Sequence, residues 1–253
     1  MLTEERKQLL LEALRQDGRV IAKDFAARVG TSEDTIRRDL RELAREGLLQ
    51  RVHGGALPMS RAIGDLAARR SVSPDEKVAI GRAAAAMIQA GQVVFLDGGT
   101  TTLEIVRSLS TSLLATIVTH SPTVAVALAD HAAEVILVGG RLFRHSMVTV
   151  GAAARDEIGR IRADIYFMGV TGMHPEVGLT TGDAEEAAIK RAIVQASGET
   201  VVLASPEKLG AASPFVVVPL ADASVILTTQ SVSEEQLAPY ARAGLTIVRA
   251  PTT

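Results

Sequence analysis

Over the first third of the chain the apolar positions recur at helical spacing. From Thr3 to Gln16, Leu10, Leu11 and Leu14 share one face, Thr3 is placed to cap, and Glu4 and Glu5 suit the positive end of a helix dipole. Asp17-Gly18 ends this stretch. A second helix is predicted over Ala22 to Val29, with Phe25, Ala26 and Val29 turned inward and Gly30 as a left-handed stop. Thr31-Ser32 opens a third, from about Glu33 to Glu46, whose buried stripe of Ile36, Leu40 and Leu43 is narrow. Beyond Gly47, Leu48 to Gly55 reads as a short strand and a glycine turn, the wing of a winged helix-turn-helix.

From Asp75 onward the pattern changes. Alanine-rich helical stretches alternate with short β-branched runs at Val93–Phe95, Thr116–Val118, Val135–Val138, Ile165–Met168, Thr200–Leu203, Val216–Val218, Val225–Leu227 and Thr246–Val248. Such alternation predicts a Rossmann-like α/β domain with a mainly parallel sheet. No period of 20 to 50 residues recurs that would indicate a solenoid. The expected division is therefore 1–57 for a winged helix-turn-helix, 58–74 for a joint and 75–253 for the α/β body. Pro58, Gly64, Pro74 and scattered Ser and Arg mark the joint, within which 65–70 can form a helical turn.

Composition narrows the chemistry. Apolar residues make up 47% of the 253 and charged ones 22%, a balance that supports a sizeable core. The absence of cysteine removes disulfides, thiolate catalysis and Cys-ligated zinc. The charged start, Met1 to Lys7, lacks the apolar core of a signal peptide and no run is long enough for a membrane span, so a cytoplasmic, nucleoid-associated protein without membrane contact is expected. Residues 1–70 carry 14 Lys and Arg against 11 Asp and Glu, whereas the remainder carries 13 against 18. A mildly basic head thus sits on an acidic body.

On the third helix Arg38, Arg41 and Arg45 fall opposite the apolar stripe, with Arg37 on its flank. A short capped helix presenting Arg, Ser and Thr fits the major groove, where guanidinium groups chelate guanine or phosphate. A solvated, salt-bridged helix is the plainer alternative, with Glu42 placed to neutralise Arg38. The arrangement decides between them. Thr35-Ile36-Arg37-Arg38-Asp39-Leu40, Glu42-Leu43, Gly47 and Arg51-Val52-His53-Gly54-Gly55-Ala56 resemble the signature of the DeoR family of bacterial transcriptional regulators. That resemblance implies that Ser32, Thr35, Arg37, Arg38 and Arg41 meet double-stranded operator DNA, with Arg51 and His53 on the wing, and that Asp39 orients an arginine.

In an open parallel sheet ligands gather beyond the carboxyl ends of the strands. There the chain places Asp97-Gly98-Gly99-Thr100-Thr101-Thr102, in which glycines admit an anion and helix-start N–H groups and hydroxyls donate to it. A plain turn with threonine caps explains the same run. Further strand ends carry Thr119-His120-Ser121, Gly139-Gly140-Arg141, Gly169 to Gly172, Gly178 to Thr181 and Ser205 to Lys208. Ser121-Pro122 is also an ordinary helix start, Glu186 and Lys190 have the spacing of a surface ion pair, and Lys208 suits a solvated loop.

Together these segments resemble the sensor domain of the same family, which is related to ribose-5-phosphate isomerase. The resemblance implies that Asp97, Gly98, Gly99, Thr100, Thr101 and Thr102 hold a phosphate. It assigns His120, Ser121, Gly140, Arg141, Thr171, Thr180, Glu185, Lys190 and Lys208 to the sugar or its surroundings. Thr171, His120 and Ser205 depart from the family pattern, and a hydroxyl at 171 cannot shuttle the proton that isomerisation requires. The expectation is a homodimeric or homotetrameric repressor of a carbohydrate operon, answering to a phosphorylated sugar, with no cofactor and no metal. An isomerase with Glu185 or Glu186 as base, or an activator of the same family, is the alternative.

Overall fold

The computed structural model describes residues 1–60, 62 and 64–252. Arg61 and Ile63 of the expected joint, and Thr253 at the end of the expected body, lie outside the described residues. The head comprises α1 (Thr3–Asp17), β1 (Val20–Ile21), α2 (Ala22–Val29), α3 (Glu33–Arg45), β2 (Leu49–Val52) and β3 (Gly55–Pro58). Leu10, Leu14, Phe25, Ile36, Leu40 and Leu43 pack into one core, closed by Leu49 and Ala56 from the wing. The wing is a three-stranded antiparallel sheet in the order β1-β3-β2, wider than the single strand expected. Thr3 does not cap α1. It is the first helical residue, and the Leu2 N–H is satisfied by the Glu5 carboxylate at 3.3 Å.

Next come α4 (Leu66–Arg70), α5 (Pro74–Ala85), β4 (Val93–Leu96), α6 (Thr100–Ser108), β5 (Thr116–Thr119), α7 (Pro122–Ala127) and β6 (Glu134–Leu137). A hairpin of β7 (Arg141–Phe143) and β8 (Val148–Val150) leads to α8 (Ala152–Ile158) and β9 (Ala163–Gly169). The chain closes with β10 (Gly172–His174), β11 (Gly178–Thr181), α9 (Ala184–Gln195), β12 (Ser197–Leu203), β13 (Phe215–Val218), β14 (Val225–Thr229), α10 (Glu234–Arg242) and β15 (Thr246–Ala250).

Seven strands form one parallel sheet in the order β15-β14-β12-β9-β4-β5-β6. Alternate residues serve opposite faces. Val94, Leu96, Ile117, Ile165, Phe167 and Val201 meet α5, α6 and α7 through Ile80, Ile105 and Val124, whereas Phe95, Val118, Tyr166, Met168 and Val202 meet α8 and α9 through Ile158, Ile189 and Ile193. Strands after β4 build outward through β5 and β6, and those from β9 onward build the other way, so the topological switch falls between β4 and β9. A crevice opens at such a point beyond the carboxyl ends. The run Val216–Val218 is not part of this sheet: β13 pairs antiparallel with β11 in a separate sheet, β10-β11-β13, that stands at the crevice.

The expected joint is docked on the body. Met59 bridges to Ala212, the Ser60 hydroxyl donates to the Thr171 carbonyl, and the Leu66 N–H donates to the His145 carbonyl at 3.0 Å. Asp65 caps α4 by accepting the Ala68 N–H at 2.8 Å. Ser73 adopts a left-handed φ of 46° before Pro74 and donates its hydroxyl to Glu207 at 2.8 Å. Among the described residues no helix is long and apolar enough to cross a membrane.

Candidate functional site

Two sites emerge, one on the head and one in the crevice. At the start of α3 the Ser32 hydroxyl accepts the Thr35 N–H at 3.2 Å and lies 2.8 Å from the Thr35 hydroxyl, so both side chains serve first as a helix cap. Arg37 is paired with Glu33 at 2.7 Å. Arg38 and Arg41 are exposed and make no salt bridge among the described residues; Arg41 only reaches the Arg37 carbonyl at 3.4 Å. Glu42 makes its salt bridge with Lys7 of α1, at 3.0 Å, and not with Arg38; Lys7 foremost, with Arg38 and Arg45 acting at longer range, holds its carboxyl below the usual range. Asp39 is fully buried and grips Arg6, the Arg6 Nη2 donating at 3.1 Å, and thereby ties α3 to α1. Arg51 and His53 stand exposed on the wing. Among the described residues Arg38, Arg41 and Arg51 are therefore exposed cations that form no salt bridge.

In the crevice β4 ends at Asp97-Gly98-Gly99. A Cβ on Gly98 would lie 2.2 Å from the Val148 side chain, and Gly99 takes a φ of 142° that side chains rarely adopt, so both glycines are required, for different reasons. They let α6 begin directly beneath the crevice, leaving the N–H groups of Thr100, Thr101 and Thr102 without intrahelical acceptors; the first internal bond runs from the Leu103 N–H to the Gly99 carbonyl at 3.1 Å. Thr101 and Thr102 are buried. The Thr102 hydroxyl has no hydrogen-bond partner.

Asp97 does not face the crevice as a ligand. Its Oδ1 accepts from His120 Nε2 and from the Gly98 N–H, each at 2.8 Å, and its Oδ2 accepts from the Gly169 N–H at 2.8 Å and from Lys190. Burial alone would raise its pKa, but Lys190 and His120 hold it well below the usual carboxylate range. Four donors leave no lone pair for a phosphate, which a carboxylate would repel in any case. Asp97 is a positioning residue. His120 sits beside it, fully buried, with Nδ1 3.1 Å from the Thr149 carbonyl. Ser121, also buried, donates to the Met147 carbonyl at 3.0 Å.

The pair Glu186–Lys190 is not on the surface. Both side chains are buried, 3.3 Å apart, and Lys190 bridges Glu186 to Asp97. Burial works against the Lys190 charge, yet the two carboxylates hold its pKa above the ordinary value. Glu185 lies outside: Asp183 caps α9 through the Glu186 N–H at 2.9 Å, and the helical turn that sends 186 and 190 inward leaves 185 exposed. Thr171 lines the crevice, donating to Ser213 at 2.7 Å. Thr180 supports the hairpin instead, donating to the Gly172 carbonyl at 3.0 Å, while its neighbour Thr181 reaches the crevice with an unpartnered hydroxyl. Gly140 and Arg141 are exposed at the start of the β7–β8 hairpin, which carries them away from the crevice.

Lys208 is buried, on a 3-10 turn, and donates to the Leu203 carbonyl at 3.0 Å; burial pushes its pKa down to about 8. Arg69 and Lys77 join it from α4 and α5. The Lys77 ammonium donates to the Arg69 carbonyl, the Arg69 Nε reaches the Asp65 carbonyl at 3.4 Å, and Arg69 Nη2 is buried without a partner. Burial lowers the pKa of both. Among the described residues, Arg69, Lys77 and Lys208 form no salt bridge, so three cations converge on one chamber with carbonyls as their hydrogen-bond acceptors and the Glu186 and Glu207 carboxylates acting on them only at longer range. Glu207, also lining the chamber, is occupied by Ser205 at 2.6 Å and Ser73.

The sequence reading missed Arg69, Lys77, Thr181 and the inward turn of Glu186. Only the last had a signal: 186, 190 and 193 share a helical stripe with the buried Ile193. Nothing in local pattern marks Arg69 and Lys77, because their role depends on the joint docking to the body. Among the described residues no cluster of three His, Asp or Glu side chains is disposed to hold a metal ion.

Comparison with known proteins yields two family matches. Residues 6–62 match a family model described as the DeoR-like helix-turn-helix domain, and residues 72–230 match the DeoR C terminal sensor domain. The chain is similar to the HTH-type transcriptional regulator GlpR of Haloferax volcanii, 34% identical over 98% of each chain. It is also similar to the glycerol-3-phosphate regulon repressor of Escherichia coli, 32% identical over 81% of this chain and 82% of that one. A putative aga operon transcriptional repressor of Escherichia coli is 28% identical over 97% of this chain and 93% of that one. Among solved structures, ribose 5-phosphate isomerase A of Methanocaldococcus jannaschii aligns at 18% identity over 54% of each chain with a TM-score of 0.41.

Proposed function

The chain belongs to the DeoR family of transcriptional regulators, and from that premise we propose that it is a repressor of a carbohydrate operon whose DNA affinity is set by a phosphorylated sugar bound at the β4–β9 switch point. The observation that carries this reading is a set of three cations, the buried Lys77 and Lys208 and the half-buried Arg69, which among the described residues form no salt bridge and face the open N-terminus of α6. Cations drawn out of water without a salt bridge are costly, and a dianionic phosphate would pair with them directly. The free hydroxyls of Thr102 and Thr181 complete the donor set.

Binding there acts on the head through the segment that leaves the wing. The β3 strand runs into Met59 and Ser60, which hold Ala212 and the Thr171 carbonyl, and then into α4, which delivers Arg69. The wing also touches the body where Arg19 meets Glu176, at 2.7 Å, on the turn joining β10 to β11. A ligand that draws Arg69 and Thr171 inward therefore pulls on the wing, and it switches the protein to the extent that it prefers one head position. Two heads on a dimer or tetramer would engage two half-sites of the operator. Among the described residues the two carboxylates that line the chamber are already engaged, Glu186 by Lys190 and Ser146 and Glu207 by two hydroxyls. The protein acts in the cytoplasm, where its DNA is, as a binder and not as an isomerase.

A panel of phosphorylated sugars titrated by calorimetry, each beside its unphosphorylated form, tests the reading. Binding of the phosphorylated member alone is expected, and heats for neither would remove it. A pH series adds a second expectation. The ligand becomes a dianion above about pH 6, and Lys208 loses its charge near its folded value of about 8. Affinity should therefore be greatest between these limits and fall as pH rises past the second. In Lys208→Met the high-pH fall is expected to weaken, because the group that titrates is gone; an unaltered alkaline limb would assign it elsewhere.

A further inference from the structure

Besides the joint, the head meets the body at the turn of the β10–β11 hairpin, where Glu176 pairs with Arg19. Glu176 and Val177 of that turn line one cleft, of about 290 Å³, with Arg19, Ile21, His53 and Gly54 of the head. The turn is held firmly from the body's side. Gly178, which ends it, has a φ of 90°, and a Cβ there would lie 2.5 Å from the Val218 carbonyl oxygen, so the hairpin packs against β13 more closely than a side chain allows. On the other strand the Met173 carbonyl accepts from the Gly210 N–H and from the Tyr240 hydroxyl, each at 2.9 Å. The buried His174 accepts the Glu176 N–H on Nδ1 at 3.2 Å and so fixes the residue that meets Arg19. Burial foremost keeps the His174 pKa below its ordinary value, which leaves the ring neutral and its Nδ1 free to accept.

We infer that the β10–β11 hairpin is an autoinhibitory strut: its turn stands on the side of the wing that DNA would take, and operator binding requires the two to part. This rests on the reading that the wing meets DNA. At about 30 Å³ per water in the liquid, the cleft between Glu176 and His53 has room for about ten waters and none for a duplex backbone. The Glu176 carboxylate also repels the phosphates that Arg51 and His53 would meet, and it occupies Arg19, a cation that a phosphate would otherwise neutralise. Both members of the pair are exposed, and such pairs contribute little, so DNA can displace the turn. The far end of the hairpin reaches the cationic chamber. Thr181 lines it, and Leu209, which bridges to Met173, follows Lys208 directly. A ligand that these residues hold differently in the docked and parted arrangements therefore biases the competition.

The chain has no cysteine, so a pair of introduced thiols reacts alone. In the full chain, Ile21→Cys and Val177→Cys place one thiol on each side of the cleft, to be joined by a bismaleimide whose spacer contains a reducible disulfide. Affinity for promoter DNA from upstream of the gene is read by fluorescence anisotropy before and after reduction, beside Ile21→Cys alone carrying the same reagent. The cross-linked protein is expected to bind about tenfold or more weakly than it does after reduction, within the usual span of coupling between two sites, and the singly labelled protein to be unaffected. Glu176→Gln is expected to tighten binding by up to about fivefold, the upper worth of an exposed pair, whereas Glu235→Gln, at an exposed carboxylate on α10, should leave it unchanged. Equal affinity before and after reduction, or the same gain from both glutamines, would overturn the inference and leave the outward face of α3 as the DNA surface. If Arg51→Ala and His53→Ala bind this DNA as the wild type does, the wing reading fails and the inference falls with it.

Discussion

Asp97→Ala is expected to destabilise the protein by about 3 to 5 kcal/mol, the cost of leaving one member of a buried ion pair without its partner. Lys190 is 2% exposed and would keep its charge beside Glu186 alone, and the N–H groups of Gly98 and Gly169 and the His120 ring would lose their acceptor together. Denaturant titration of the body's unfolding reads this directly. Adding Lys190→Met is expected to restore a substantial part of the loss, since an apolar side chain of similar volume carries no desolvation cost. A double variant no better than the single one would show that the carboxylate acts through the backbone donors and not through the lysine. The family resemblance implies that Asp97 holds a phosphate; in the structure its carboxylate is taken up by His120, Lys190 and the Gly98 and Gly169 N–H groups. Its substitution therefore tests the scaffold, and Lys208→Met is the cleaner probe of the ligand.

Arg38→Ala should remove specific operator binding while leaving effector affinity at the wild-type value. A guanidinium that chelates one base contributes about 1 to 3 kcal/mol of discrimination. An assembly with two heads makes the contact twice, so the expected loss is on the order of thirtyfold or more in a gel-shift titration. The fold of the head does not depend on this residue, because Arg38 is exposed and forms no salt bridge among the described residues, whereas the α1–α3 junction is held by Arg6 and Asp39. Arg37→Ala is expected to cost less, as its guanidinium already pairs with Glu33. Undiminished operator affinity in Arg38→Ala would move the recognition surface off the outward face of α3.

The helices of the head were legible because each boundary has a local chemical cause: Gly18 and Gly30 take left-handed conformations, Ser32 caps, and the Ile36, Leu40 and Leu43 stripe is the buried one. The parallel strands were legible for the same reason, as continuous β-branched runs buried on both faces. Short hairpins were not. Thr180 and Thr181 differ in role by which side of β11 they occupy, and Gly140 and Arg141 leave the crevice on a hairpin whose direction no local pattern specifies. Charge was hardest to place. Glu186 and Lys190 have the spacing of a surface pair and owe their burial to a carboxylate 93 residues away, on β4's loop. Arg69 and Lys77 belong to a stretch whose Pro, Gly and Ser content reads as a joint, and only its docking against Thr171, Ala212 and His145 turns them into chamber walls.

The coupling of the chamber to the head is tested most directly by fluorescence anisotropy of the full-length protein on promoter DNA from upstream of its own gene, with and without the phosphorylated sugar that calorimetry identifies. The account predicts that this ligand shifts the DNA dissociation constant by about tenfold or more, within the usual span of coupling between two sites. It predicts no shift with the unphosphorylated sugar, and none in Lys208→Met at the same ligand concentration. A DNA affinity that stays constant while the phosphorylated sugar saturates the chamber would contradict it.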